Sequence, residues 1–166
     1  MPLSERSSTL SVLVVDDFPD GLELVAEYLT FRGFAVHVAR NGEDAIEIAR
    51  KVKPDIVLMD LSMPGIDGWQ AAGALKNDPA TQAIIVIAVT AHALKPETDA
   101  AREAGCDGVI CKPFDLATLA DALPRVLKHG AAALDVPGLS LNPTRHPKAR
   151  HRVPESVQPR TSHPAE

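Results

Sequence analysis

Short apolar runs recur along the chain as far as His129, and segments of mixed polarity separate them. The runs occupy residues 11–15, 35–39, 55–59, 83–89 and 108–111, and most are continuous and rich in β-branched residues. A strand that is apolar on both sides is typical of a parallel sheet covered by helices on both faces. The pattern therefore predicts five buried parallel strands.

The segments between these runs carry the punctuation of helices. Pro19 and Gly33 mark the start and end of the first helix, and Asn41 is a predicted N-cap of the second. Three further helices are predicted at about residues 69–76, from Pro96 to Gly105, and after Asp115. This alternation predicts a doubly wound α/β fold of the flavodoxin-like (βα)5 type, with strand order 2-1-3-4-5.

The composition changes near His129. Residues 130–166 contain six prolines in 37 positions, together with scattered Arg and His and no aromatic residue. Such a segment cannot bury enough apolar surface to offset its chain entropy. We therefore expect one domain over residues 9–129 and a disordered tail over residues 130–166.

Charge and hydropathy narrow the class of protein. Residues 1–129 carry 12 basic and 19 acidic side chains, which disfavours a nucleic-acid-binding surface. No apolar run approaches the length of about 20 residues that spans a bilayer, and the N-terminal segment has no signal-peptide pattern. The two cysteines, Cys106 and Cys111, do not have zinc-ligand spacing and are interpreted as reduced. We expect a cytoplasmic protein that binds neither nucleic acid nor membrane.

Polar residues stand where four of the predicted strands end. Asp16 and Asp17 follow the first strand, Asp60 the third, Thr90 the fourth and Lys112 the fifth. In a doubly wound sheet these positions converge on the edge that holds the site. Three neighbouring carboxylates repel one another unless a cation joins them, and Mg²⁺ prefers oxygen ligands. The sequence predicts a Mg²⁺ site with an aspartate free to act as a nucleophile.

Four motifs, VLVVDDFPDG, DIVLMDLSMPGIDGW, VIAVTAHA and GVICKPF, occur in this order. In that order and spacing they resemble the response-regulator receiver domain of bacterial two-component systems, over roughly residues 9–129. The resemblance implies that Asp60 is the phosphoacceptor. It further implies that Asp17 is a direct Mg²⁺ ligand, that Asp16 acts mostly through metal-bound water, and that Asp60 and the backbone carbonyl of Ser62 complete the metal ligands.

The resemblance also assigns the residues around the phosphoryl group. It implies that Thr90, Ala91 and Lys112 contact this group or take part in the switch, and that the peptide bond before Pro113 is cis. The sequence departs from the family at Val109, where the family places an aromatic switch residue. Valine has no ring to move between two rotamers, which puts the coupling of Thr90 to that position in doubt.

The resulting hypothesis is a stand-alone response regulator. It would receive a phosphoryl group from a sensor histidine kinase or a histidine phosphotransfer protein, and the change would alter its binding to a downstream protein. It would catalyse only its own phosphorylation and dephosphorylation. The alternative is a receiver-like adaptor that binds partners independently of phosphorylation. A phosphatase with an Asp nucleophile is disfavoured, because Ser62 stands where a second acid is expected.

Overall fold

Five strands alternate with five helices along the domain, and a short sixth strand follows. The computed structural model describes residues 9–63, 68–91, 95–129 and 139–141. In chain order the elements are β1 (Ser11–Val15), α1 (Pro19–Phe31), β2 (Ala35–Ala39), α2 (Gly42–Val52), β3 (Ile56–Asp60), α3 (Gly68–Asn77), β4 (Ile85–Thr90), α4 (Lys95–Ala104), β5 (Gly108–Cys111), α5 (Leu116–His129) and β6 (Leu139–Leu141).

The strands form a single sheet in the order β2-β1-β3-β4-β5-β6. The first five strands are parallel to one another, so their carboxyl ends lie at one edge of the sheet. This confirms the predicted doubly wound fold and the order 2-1-3-4-5. The observed strands begin or end within two residues of the predicted runs.

The sixth strand was not predicted from the sequence. Leu139–Leu141 pairs antiparallel with β5, and Val109 lies opposite Ser140. This strand falls within residues 130–166, where we expected disorder. The other residues of that tail lie outside the described part of the chain.

Two apolar cores lie on opposite faces of the sheet. One contains buried side chains of α2, α3 and α4, and the other contains those of α1 and α5. Successive strand residues alternate between these cores, as the period of two in a strand requires. Among the described helices, none has the length and apolar character needed to cross a bilayer.

Side-chain caps define the starts of two helices. The Oδ1 atom of Asn41 accepts a hydrogen bond from the amide of Asp44 at 2.8 Å, as expected of an N-cap. Asp115 does the same for α5, where its Oδ2 accepts from the amide of Thr118 at 2.9 Å. Pro124 lies inside α5, and the helix nevertheless continues to His129.

A buried ion pair ties α3 to the connection that precedes β5. The Nζ atom of Lys76 lies 2.5 Å from Oδ2 of Asp107, and the Lys76 side chain is only 4% exposed. Lys76 also donates to the carbonyl of Ile84, while Asp107 accepts from the amide of Val86 at 2.8 Å. One ammonium and one carboxylate therefore link α3 to the amino-terminal ends of β4 and β5.

Candidate functional site

Successive side chains of a strand point to opposite faces of the sheet, and this determines which side chains at the carboxyl edge lie on the same face. Asp60 lies two residues after Leu58, which belongs to the core beside α1 and α5. Asp16 and Lys112 lie on the same face, because each comes two residues after a strand residue of that core, Val14 and Ile110 respectively. Thr90 follows residues of the opposite core. Two acids and the lysine are therefore directed to one side of the sheet.

Three carboxylates cluster at this edge. Oxygen atoms of Asp16, Asp17 and Asp60 lie within 4.8 Å of one another. Asp16 and Asp60 are 7% and 6% exposed, whereas Asp17 is an exposed residue. The predicted acidic group thus forms one cluster with an open side at Asp17.

Lys112 and two backbone amides hold the buried acids in place. The Nζ atom of Lys112 lies 3.3 Å from Oδ2 of Asp16 and 3.5 Å from Oδ2 of Asp60. The amide of Phe18 donates to Oδ1 of Asp16 at 2.9 Å, and the amide of Ser62 donates to Oδ1 of Asp60 at 2.8 Å. Each carboxylate therefore has one oxygen bound by backbone and one oxygen facing the ammonium.

Burial and neighbouring charges shift the pKa values of Asp60 and Lys112. Burial raises the pKa of Asp60 above its ordinary value, and the neighbouring Asp16 adds to this, although the Ser62 amide and Lys112 oppose it. Burial works to lower the pKa of Lys112, but the charges of Asp60 and Asp16 outweigh it and the pKa is raised. The site thus has an excess of negative charge that one ammonium does not fully neutralise.

The donor set suits a hard divalent cation. Carboxylate oxygens are the ligands that Mg²⁺ uses most, usually one or two of them with several waters. The cluster offers three such groups, one of them exposed, and three close carboxylates beside a single ammonium leave negative charge that a cation would neutralise. The residues present therefore fit Mg²⁺.

The remaining predicted residues lie on β4 and β5 and directly after them. Thr90 is buried at the end of β4, and its carbonyl accepts a hydrogen bond from the Lys112 amide at 2.8 Å. Ala91 is exposed just beyond it. The Lys112–Pro113 peptide bond is cis. Val109 is 4% exposed and packs in the core beside α2, α3 and α4.

Gly68 is a positioning residue that the sequence analysis did not single out. A Cβ atom at this position would lie 2.0 Å from the carbonyl oxygen of Asp60 and 2.7 Å from Cα of Leu61. Only glycine allows the start of α3 to approach the end of β3 so closely. The signal was present in the segment GIDGW, where a glycine follows an aspartate just before a helix.

A cavity of about 520 Å³ opens beside the cluster. Asp16, Asp60 and Lys112 form its polar end, and apolar side chains of α1, the sheet and the β5–α5 connection form the rest. Leu24 lines this cavity and is 60% exposed. The acidic cluster can therefore be approached from outside, past the apolar surface of α1.

Comparison with known proteins identifies the class to which this fold and site belong. The sequence model of the response regulator receiver domain matches residues 12–124. The chain therefore belongs to the response regulator receiver domain family of two-component signalling. In this family phosphorylation and Mg²⁺ binding are general features.

Particular relatives support the assignment. Protein PilH of Pseudomonas aeruginosa is 38% identical over 116 residues, covering 70% of this chain and 96% of PilH. The polar-differentiation response regulator DivK of Brucella anthropi is 35% identical over 106 residues, covering 64% of this chain and 86% of DivK. The receiver domain of the sensor histidine kinase PA1611 from Pseudomonas aeruginosa is similar in structure. Its TM-score is 0.67 at 27% identity, over 73% of this chain and 99% of that domain, and it has a magnesium ion coordinated in its active site cleft.

Proposed function

We propose that this chain is a phosphorylation-controlled switch whose phosphoacceptor is Asp60. The observation that carries the proposal is the cluster of Asp16, Asp17 and Asp60 within 4.8 Å, with Lys112 3.5 Å from Asp60. Of the three acids, Asp60 is the one placed at the end of the central strand β3; like Asp16, it also faces the cavity and the ammonium. An aspartate in this position can act as a nucleophile without a general base.

In the proposed reaction, a carboxylate oxygen of Asp60 attacks the phosphorus atom of a phosphohistidine. The bond from phosphorus to the imidazole nitrogen breaks, the imidazole keeps the electron pair, and an acyl phosphate forms on Asp60. Hydrolysis returns the chain to its unphosphorylated form: water attacks phosphorus, the Asp60 carboxylate leaves and inorganic phosphate is released. The chain thus catalyses only its own phosphorylation and dephosphorylation.

The surrounding residues supply charge and position. Asp16, Asp17 and Asp60 would hold Mg²⁺ with the backbone carbonyl of Ser62, and the ion would supply positive charge to the phosphoryl oxygens. Lys112 already lies near Oδ2 of Asp60, where it neutralises developing negative charge. We assign to Thr90 and to Ala91 beyond it the contact with a further phosphoryl oxygen.

The proposed phosphodonor is a sensor histidine kinase or a histidine phosphotransfer protein. The adjoining cavity offers a phosphohistidine a route to Asp60, and Leu24 of α1 lines this cavity. Leu24 and Phe18, the residue before α1, are exposed apolar side chains. A helix that presents the phosphohistidine would bury these side chains on docking. We propose that the phosphorylated chain then changes its affinity for a downstream protein partner.

Phosphoryl labelling tests the assignment of Asp60. Incubation with acetyl phosphate and Mg²⁺ should add one phosphoryl group, as detected by intact mass spectrometry, and Asp60→Asn should abolish it. Asp55→Asn is the matched control, because Asp55 precedes the same strand at the opposite edge and its Oδ2 accepts a hydrogen bond from the Ser11 amide at 2.9 Å. Equal labelling of the Asp60→Asn variant would refute the assignment.

Transfer from protein donors tests the docking surface. We expect Leu24→Ser to slow transfer from phosphorylated histidine kinases of the same organism by at least about tenfold while leaving acetyl phosphate labelling unchanged. Phe31→Ser is the control, since Phe31 is 83% exposed at the other end of α1. Equal slowing by both variants would contradict the proposed docking surface.

Val109 supports a second candidate, a receiver-like adaptor that binds partners without phosphorylation. Its side chain is buried in the sheet core and has no ring that could move in response to Thr90. Under this alternative, the Asp60→Asn variant retains the binding partners of the wild-type chain with unchanged affinity. Under the main proposal, affinity depends on the phosphoryl group.

A further inference from the structure

Leu139–Leu141 pairs with the outer edge of β5, and we propose that the role of this strand is to close that edge to extended segments of other chains. In a five-stranded sheet of this order, β5 is an outer strand with unpaired backbone groups. Here that edge is covered by β6, which runs antiparallel to it. The inference concerns the backbone of this edge and does not depend on the proposed phosphorylation.

The sequence around Leu139–Leu141 has the features of a short edge strand. Leu, Ser and Leu alternate between apolar and polar residues, as a strand with one covered face requires. Pro137-Gly138 precedes the segment and Asn142-Pro143 follows it, and both dipeptides are typical of turns. Because proline has no backbone N–H, the ladder is limited to a few residues. The tail thus encodes one short pairing segment between two breaks.

The direction of the backbone amides shows which bonds hold this strand. The amide of Lys112 points toward β4, where it donates to the carbonyl of Thr90 at 2.8 Å. Amides of alternate strand residues point to opposite sides, so that of Ile110 also faces β4 and that of Val109 faces β6. Val109 lies opposite Ser140 in the register. These two residues therefore exchange the pair of hydrogen bonds at the centre of the ladder.

The same chain has the length to supply this strand. Nine residues separate the end of α5 at His129 from Leu139. A linker of this length spans up to roughly 30 Å, which is several times the spacing of about 4.8 Å between neighbouring strands. We therefore assign the occupant to the same chain and not to a second copy. Its role is to close the edge to other extended segments, including those of other copies.

Amide exchange in the full chain, followed by NMR, tests the proposal at single residues. Ser140→Pro removes the N–H that faces β5, whereas Leu141→Pro removes one that faces away and serves as the matched control. In the Ser140→Pro variant we expect exchange of the Val109 amide to accelerate by at least about tenfold. The Ile110 amide should stay as slow as in the wild type, because its partner is β4.

Three results would overturn the proposal. The first is a Val109 amide that exchanges equally fast in the wild type and in Ser140→Pro. The second is an equal acceleration by Leu141→Pro, which would contradict the inferred bond direction. The third is a Val109 protection that falls on dilution of the wild-type chain, because the strand would then come from a second copy.

Discussion

Replacement of Asp60 with asparagine should raise the stability of the metal-free chain at neutral pH. At their 4.8 Å limit, two carboxylates repel by roughly 3.5 kcal/mol at an effective dielectric constant of about 20. The Lys112 ammonium, 3.5 Å away, attracts Asp60 by roughly 4.7 kcal/mol on the same scale. Since Asp60 faces two acids, about 2 kcal/mol of net repulsion remains, and solvent near the exposed Asp17 reduces it further.

Burial of Asp60 adds a cost of the same sign, because it penalises the charged form. Asparagine removes this charge, and its side-chain oxygen can still accept the hydrogen bond from the Ser62 amide. A gain of about 1 to 2 kcal/mol corresponds to an increase in Tm of roughly 4 to 8 °C for a domain of this size. Asp55→Asn, which leaves the cluster intact, should not produce this increase.

The raised pKa of Asp60 determines how the stability difference between the wild type and Asp60→Asn varies with pH. Because the pKa of Asp60 is raised in the folded state, the unfolded chain loses this proton first as the pH rises. The contribution of Asp60 to stability is thus fully present below the ordinary carboxyl pKa of about 3.9 and is lost as the pH rises through the folded-state value. The asparagine side chain of the variant does not titrate, so the advantage of Asp60→Asn should be absent in acid and develop toward neutral pH.

Thermal melts with and without Mg²⁺ complete the test. A ligand at 100 times its Kd stabilises a folded protein by about 2.7 kcal/mol, and the wild type should gain more than the variant because it keeps all three acids. The Mg²⁺-saturated wild type should therefore approach or exceed the stability of Asp60→Asn. A variant that is less stable than the wild type at neutral pH without metal, or a difference independent of pH, would refute this reasoning.

Three further substitutions test the framework of the site. Lys76→Met should lower the unfolding free energy by about 3 to 5 kcal/mol in denaturant titrations, because it leaves the Asp107 carboxylate buried without its partner; addition of Asp107→Asn should recover part of the loss. Asn41→Ala should cost about 1 kcal/mol by the same measurement, through loss of the α2 cap. Gly68→Ala should lower both Tm and the rate of phosphoryl labelling, since its Cβ would lie 2.0 Å from the Asp60 carbonyl oxygen; an unchanged labelling rate would contradict the positioning role of Gly68.

The central site could be predicted from the sequence because it follows from sheet geometry. Parallel strands end at the same edge, so acids after the first and third runs and a lysine after the fifth had to lie near one another. The contacts of Lys112 with Asp16 and Asp60 bear this out at 3.3 and 3.5 Å. The side chains of Asp16, Asp60 and Lys112 all face the side of the sheet covered by α1 and α5. The alternation of side chains along each strand could have predicted this as well.

Other features depend on contacts that no local pattern encodes. The approach of Gly68 to the Asp60 carbonyl requires the angle between α3 and β3, and the pairing of Lys76 with Asp107 joins residues 31 positions apart. Leu139–Leu141 alternates in polarity over only three residues, which is too few to predict a strand, and its strand conformation depends on the edge of β5. Tertiary context therefore determines these features.

β5 connects the two regions for which we make proposals. Its last residue, Cys111, is followed by Lys112, whose side chain faces Asp60 and whose amide is bound to the carbonyl of Thr90. Three residues before Lys112, Val109 pairs with Ala88 on one side and with Ser140 on the other. A change in charge at Asp60 acts directly on Lys112, and a shift of β5 against β4 would alter the bonds that hold β6. A difference of only about 1.4 kcal/mol changes a two-state population tenfold. The β5–β6 ladder has three residue pairs, and it is therefore the part of the sheet most readily released by such a shift.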